Sequence, residues 1–175
     1  MSSEMRSKRG SRANDGVYGL ESGRAGFDTP LGRCEIAWSP KGITRFDLPG
    51  HGRMEETSEA PPWVREAMDR IALHLGGNPQ DLSGIPIDMG GISPFFRRVY
   101  EVTRGIPPGE TLSYAELAER ARSPKAFRAV GQAMAKNPFP VVVPCHRVLA
   151  AGGKLGGFSA PGGTATKVRL LDLER

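Results

Sequence analysis

Between Pro62 and Leu75 the apolar residues Val64, Ala67, Met68, Ile71 and Leu75 recur at spacings of three and four, and Gly76-Gly77 follows them. That is the stripe of an amphipathic helix closed by a glycine stop. Residues 25–48 read differently. Two short runs, Cys34–Trp38 and Ile43–Leu48, flank the turn sequence Ser39-Pro40-Lys41-Gly42, which predicts a hairpin with one buried face. Residues 49–61 are a polar, acidic linker, and residues 78–92 are punctuated by Gly and Pro around one short strand at Ile85–Met89. Ahead of these, residues 1–24 mix Ser, Arg, Gly and Asp with few apolar positions and read as a disordered basic arm.

From residue 93 the helix signals sharpen. Ser93-Pro94 caps and starts a helix carrying Phe95, Phe96, Val99 and Val102 to near Arg104, and Ile106-Pro107-Pro108-Gly109 breaks it. Ser113-x-x-Glu116 is a capping box for a helix to about Ala121, after which Ser123-Pro124 caps and starts another from Lys125 to Lys136. Two short helices joined at Arg122-Ser123 have the form of a helix-turn-helix, although such turns also join helices in proteins that never touch DNA. Thr164 caps a further helix whose core face is Val168, Leu170, Leu171 and Leu173, ending at Glu174. The fold class is therefore mixed α/β (α+β), with a boundary between residues 25–92 and residues 93–175.

Charge adds a direction to this outline. The whole chain of 175 residues is +5, but residues 1–92 carry 11 basic and 13 acidic groups whereas residues 93–175 carry 13 basic and 6 acidic. The second part is the candidate for an anionic partner. Nucleic acid is favoured over a membrane because no strong apolar helix face accompanies the charge. Two cysteines, Cys34 and Cys145, cannot build a disulfide scaffold or a thiolate-rich zinc site, and His51, His74 and His146 lie far apart in sequence, so no metal is expected. No apolar run is long enough to cross a membrane, and the N-terminal charges are not followed by the apolar segment of a signal peptide. A cytoplasmic protein with reduced thiols is expected.

The chemistry concentrates in one segment. Phe139–Pro144 is an apolar run too short and too proline-bounded for a helix or a central strand, and it delivers Cys145-His146-Arg147. An intracellular cysteine is most often a small buried hydrophobe. Here His146 and Arg147 would be costly in a dry core unless paired, so the chain is expected to leave the core at this point, and both neighbours favour a thiolate. In an extended segment residues 145 and 146 point to opposite sides, so a base at His146 needs a water bridge or a sharp turn to reach the thiol. A carboxylate must orient the imidazole, and Asp172 and Glu174 are both candidates. Gly152, Gly153, Gly156, Gly157, Gly162 and Gly163 follow in a mobile loop.

Pro144-Cys145-His146-Arg147-Val148, preceded by Asn137-Pro138 and followed by that glycine-rich loop, resembles the active-site signature of the O6-alkylguanine-DNA alkyltransferases, the methylated-DNA–protein-cysteine S-methyltransferases. The resemblance continues through Ile106-Pro-Pro-Gly-Glu-Thr-Leu-Ser-Tyr-Ala-Glu-Leu-Ala, Arg128-Ala-Val-Gly-Gln-Ala and Leu170-Leu171-Asp172-Leu173-Glu174. It implies a small ribonuclease-H-like N-terminal domain with no catalytic role, and a helical C-terminal domain that binds duplex DNA through the minor groove. It also implies a flipped O6-alkylguanine whose alkyl group moves irreversibly, once per protein, to a cysteine, with no cofactor, no metal and no obligate protein partner. Carried onto this chain, Cys145 is the nucleophile, His146 the base through a bound water, Glu174 its orienting carboxylate, and Asn137 the tie between the second helix and the cysteine segment. Tyr114 would donate to N3 of the guanine and Arg128 would fill the base stack. Ser113, Ser123, Lys125, Ala129 and Gly131 would lie along the DNA, with the small residues Ala126 and Ala133 easing helix approach. Met134, Pro140, Val148, Phe158 and Ser159 would form the base pocket.

Three features depart from the family pattern. Phe127 stands where a small residue is frequent, beside Arg128. Ser93-Pro94-Phe95 and Tyr100 replace the family's usual residues and read as core substitutions. The loop Gly157–Gly163 is about two residues longer than usual and has Phe158 in place of a tyrosine. Other functions make different predictions. A non-transferring damage-binding protein leaves Cys145 unmodified, a helix-turn-helix regulator reads sequence and is indifferent to the thiol, and a cysteine hydrolase turns over many times.

Overall fold

The computed structural model describes residues 22–52, 56 and 59–175. Strands β1 (Gly23–Thr29), β2 (Gly32–Ser39) and β3 (Gly42–Asp47) form an antiparallel meander in the order β1-β2-β3. The predicted hairpin is β2–β3, with Ser39 opposite Gly42 and a register shift at Ala37/Trp38. β1 was not legible: of its seven residues Gly23, Ala25 and Gly26 give almost no hydrophobic signal, and Phe27 alone is strongly apolar. It begins inside the predicted disordered arm. Residues 1–21 of that arm lie outside the described residues, but Gly23 and Arg24 are paired to Trp38 and Ala37.

Helix α1 (Pro62–Leu75) matches its predicted span and packs across β1, burying Val64, Ala67, Met68, Ile71, His74 and Leu75. The strand predicted around Ile85–Met89 shrinks to a single parallel bridge between Ile43 and Ile87, closed by the Ile43 amide donating to Pro86 and the Asp88 amide donating to Ile43. Gly42 is required there. Its φ is +156°, and a Cβ would stand 2.7 Å from the backbone carbons of Pro86 and Ile87.

Helix α2 (Pro94–Arg104) is capped by Ser93, whose hydroxyl accepts the Phe96 amide. Ser93 and Pro94 are thus an exposed cap rather than core residues, whereas Tyr100 is buried and donates its hydroxyl to the Ala133 carbonyl at 2.8 Å. Strand β4 (Leu112–Ser113) runs into α3 (Tyr114–Arg120) through the predicted capping box. The next helix, α4, spans Phe127–Ala135 and is shorter than predicted. Ser123 does not cap it. Its carbonyl accepts the Ala126 amide in a turn and its hydroxyl accepts from Arg98, while Arg122 occupies the left-handed region at φ 61°. The connection therefore runs from Ala121 to Ala126 rather than through two residues.

Strand β5 (Val148–Leu149) pairs in parallel with β4, and α5 spans Gly163–Leu173. Gly162, in the left-handed conformation, precedes α5 where Thr164 was expected as the cap. Its buried stripe is Lys167, Leu170 and Glu174, with Val168 exposed. A single buried apolar cluster runs from the sheet through α1 to α2–α4 and the Cys145 segment. No helix among the described residues is long and apolar enough to cross a membrane.

Candidate active site

The segment after α4 is folded tightly rather than extended. Asn137, one residue beyond the helix cap, uses both ends of its amide: Oδ1 accepts the Phe139 amide at 2.9 Å and Nδ2 donates to the Val143 carbonyl at 2.8 Å. The Val143 amide in turn donates to the Phe139 carbonyl at 2.7 Å. This clamp holds Val141 at φ 74°, a conformation that costs a β-branched residue about 1–3 kcal/mol. The Phe46 amide of β3 donates to the Pro138 carbonyl, fastening the segment to the sheet edge.

Cys145–Arg147 then form one 3-10 helical turn rather than an extended segment. Cys145 is 6% exposed and lines a cavity of about 810 Å³ together with Pro140, Phe158, Ser159 and Ala160. On its far side the cavity reaches Arg45, Asp47 and His51 of the N-terminal half. Burial pushes the Cys145 thiol above its ordinary value, while the Asn137 side chain, the Lys167 charge and the nearby backbone amides pull it back only in part. The resting group is therefore a neutral thiol, not the low-pKa thiolate expected from His146 and Arg147.

Those two residues do not carry the chain out of the core. His146 and Arg147 are buried, and pairing meets the cost. Glu174, the C-cap of α5, accepts His146 Nε2 at 2.7 Å and the Arg147 guanidinium at 2.6 Å on Oε1, and Arg147 Nε at 2.9 Å on Oε2. Arg147 also donates to the Ile106 carbonyl at 2.6 Å. Burial alone would raise the Glu174 carboxyl; the hydrogen bonds from His146, His74 and Arg147 outweigh it and hold the group far below the usual carboxylate range. Burial pushes His146 down, against the carboxylate, so it is neutral near pH 7. With Nε2 donating to Glu174, its Nδ1 is the acceptor nitrogen, buried and without a partner among the described residues. Asp172, the other candidate carboxylate, faces Arg175 at 3.6 Å on the exposed side.

Pairing of β4 with β5 brings Tyr114 to the cysteine segment. Its phenol packs on Gly156, where a Cβ would stand 3.3 Å from the hydroxyl oxygen, and burial, then the Cys145 charge, raise its pKa. Ser113 is occupied as the cap of α3. On α4, Arg128 is exposed with no ion pair among the described residues, Ala129 and Gly131 are half-exposed, and a Cβ on Gly131 would meet nothing within 4 Å. Lys125 is also exposed, whereas Ala133 is buried. Phe127, in question from the sequence, is 50% exposed beside Arg128. Of the expected base-pocket residues, Pro140, Phe158 and Ser159 line the cavity; Met134 and Val148 lie in the core.

Two residues escaped the sequence reading. Lys167 is fully buried on α5, and its ammonium donates to the carbonyls of Val148 at 2.8 Å, Leu155 at 2.5 Å and Gly157 at 3.3 Å. It thereby pins the glycine-rich loop, read as mobile, to β5. His74 of α1 donates Nε2 to Glu174 Oε1 at 2.9 Å. Each had one signal: a polar residue on the buried stripe, Lys167 with Leu170 and Glu174, His74 with Ala67 and Ile71.

Against known proteins, residues 94–175 match the family described as 6-O-methylguanine DNA methyltransferase, DNA binding domain. The chain is 36% identical over 146 residues to a methylated-DNA–protein-cysteine methyltransferase of Methanothermobacter thermautotrophicus, covering 83% of this chain and 81% of that one. It is 43% identical over 151 residues to that of Mycolicibacterium paratuberculosis, covering 85% and 89%. The crystal structure of Mycobacterium tuberculosis OGT in complex with DNA superposes with a TM-score of 0.73 at 35% identity, over 86% of this chain and 91% of that one. The aligned stretches of 146 and 151 residues are longer than the helical half and so take in the sheet as well. By sequence, fold and extent of match, the chain belongs to the methylated-DNA–protein-cysteine methyltransferase family.

Proposed function

We propose that the protein repairs alkylated DNA by direct reversal, moving a methyl (alkyl) group from O6 of guanine in duplex DNA to Cys145, once per molecule. The observation that carries this reading is Cys145 lining a cavity walled by Pro140 and Phe158, with the buried His146–Glu174–Arg147 array directly following it in the chain. The α3–α4 pair serves as a helix-turn-helix that approaches the minor groove, and the sheet with α1 forms a ribonuclease-H-like N-terminal domain. Exposed Arg128 enters the base stack as the damaged guanine flips out, at a cost of a few kcal/mol that a weakly paired lesion reduces.

In the reaction the thiol proton passes through a bound water to Nδ1 of His146, the acceptor nitrogen left open by the Nε2–Glu174 bond. Sulfur attacks the alkyl carbon in line, the carbon–O6 bond breaks, and its electron pair goes to the purine. Tyr114 donates at N3 as charge develops there, and the proton taken from the thiol is returned to the guanine. Because burial holds the resting thiol above its ordinary pKa, its proton is removed in the course of attack on the bound substrate rather than beforehand. The thioether product is inert to His146 and water, so the protein is consumed.

Mass spectrometry after incubation with an O6-methylguanine duplex tests this reading. The intact mass rises by one methylene equivalent, located on Cys145, and stops there. Cys145→Ser abolishes the gain and keeps duplex binding, whereas Cys34→Ser keeps both. Label on Cys34, or more than one repaired guanine per chain, overturns the proposal.

A further inference from the structure

We infer that His74, on the helix of the N-terminal half, is a positioning residue for the transfer reaction: it holds the Glu174 oxygen that His146 also holds and so sets the imidazole that takes the thiol proton. The inference rests on the transfer reading above, and it gives the N-terminal half a part in the chemistry that the sequence resemblance withholds. The geometry is specific. The Gln80 amide donates to His74 Nδ1 at 3.0 Å, which leaves the proton on Nε2 and points it at Glu174 Oε1, 2.9 Å away. The same oxygen accepts from His146 Nε2 at 2.7 Å and from Arg147 at 2.6 Å. Three donors converge on one carboxylate oxygen, and only one of them comes from outside the C-terminal half.

That third donor matters because of where Glu174 sits. It caps the C-terminal end of α5, beyond the helical ladder, where the backbone alone does not fix a side chain. Arg147 and His146 are neighbours in one short turn and pull on the carboxylate from the same segment, so they can move together with it. His74 stands on a long helix packed across the sheet and is itself 1% exposed. It ties the carboxylate to a part of the fold that the cysteine turn does not belong to. The tie also keeps Oε1 saturated, so that the His146 Nε2 proton has one direction to point and Nδ1 stays the acceptor. A displaced imidazole misaligns the water path to the thiol, and misplacement of about 1 Å is worth as much as a hundredfold in rate.

The test compares wild type, His74→Phe and His74→Gln; glutamine places an amide N–H where the imidazole Nε2–H was. The measurements are single-turnover transfer from an O6-methylguanine duplex, affinity for undamaged duplex, melting temperature, and the imidazole nitrogen–proton spectrum of His74 and His146. We expect His74→Phe to slow transfer about tenfold with duplex affinity unchanged and the His146 Nε2–H resonance shifted or broadened, and His74→Gln to recover most of the rate. Wild-type rates in His74→Phe, equal losses in the two variants, or an unmoved His146 resonance would overturn the inference. If His74→Phe does not fold, the wild-type spectrum decides: a proton on Nδ1 of His74 rules the role out, and one on Nε2 with Nδ1 bare supports it. If wild type leaves Cys145 unlabelled, the transfer reading falls, and the spectra alone judge whether His74 orders Glu174 and His146.

Discussion

Asn137 shows how one side chain can serve folding and chemistry together. Its amide closes the loop that strains Val141, and it stands among the groups that restrain the upward push on the Cys145 thiol. Asn137→Ala leaves the Phe139 amide without its partner, a cost of about 1–3 kcal/mol in stability, while the Val143 carbonyl keeps the Cys145 amide. It also removes a lowering influence, so the thiol titrates higher than in wild type. Lys167→Met shares the second effect through loss of its charge, and it frees the carbonyls of Leu155 and Gly157 that fix the cavity wall. A titration of free protein by thiolate absorbance, with Cys34 replaced by serine, checks both: wild type lies above the free-thiol value and each variant lies higher still. A variant titrating below wild type contradicts this account. Cys34 has no such restraint beyond Thr29 and is pushed up to about 11 by burial, in keeping with a structural cysteine.

Among the elements, α4 carries the clearest separation of stability from function. Gly131 lies inside the helix with open space where its side chain would be. Gly131→Ala therefore gains up to about 1 kcal/mol in stability from helix propensity. If the half-exposed face approaches a narrow groove, the same methyl weakens duplex binding, so melting temperature and affinity move in opposite directions. Arg128 and Phe127 are tested on two substrates. Arg128→Ala loses far more repair of duplex DNA than reaction with free O6-alkylated guanine, which needs no flipping. Phe127→Ala follows the same order if its exposed ring packs against the bases or sugar edge. Equal losses on both substrates assign either residue to the pocket or to folding instead.

The molecule as a whole couples pH to its two halves through Glu174. Its folded carboxyl titrates far below the ordinary value, so the unfolded chain binds the proton first, near about pH 4.3. Stability is full above that value and falls as pH drops through it towards the folded pKa. His146, kept neutral by burial, adds a loss of the same sign as pH falls below about 6.5. Melting temperature should decline on acidification, and below about pH 5 it should fall more steeply for wild type than for Glu174→Gln, which at neutral pH already leaves Arg147 buried without its counter-charge. A parallel pair of curves would show that another group controls the acid limb. Charge acts on binding at the same scale. With 13 basic against 6 acidic groups in residues 93–175, duplex affinity should fall steeply with salt and vary little with sequence. A flat salt dependence would contradict a phosphate-led interface.

Local signals determined much of this protein. The three-and-four spacing over Pro62–Leu75, the capping box Ser113–Glu116 and the turn Ser39–Gly42 each reappear in the fold, because helix stripes, caps and tight turns are set by residues a few positions apart. The Pro144–Val148 motif marked the reactive segment for the same reason: its neighbours are unusual enough to need an explanation. Long-range partners were another matter. On local chemistry alone Asp172 and Glu174 were both candidates, and the family resemblance chose Glu174; the rotation of α5 turns Asp172 to Arg175 and Glu174 to His146. The neutral state of Cys145 followed from how deeply the fold buries it, and no list of neighbouring residues states that depth. Lys167 and His74 sat in plain view as polar residues on buried stripes. Their partners are strand and loop carbonyls 10 to 19 positions away and a carboxylate 100 positions away, and only tertiary packing brings such groups within hydrogen-bonding distance.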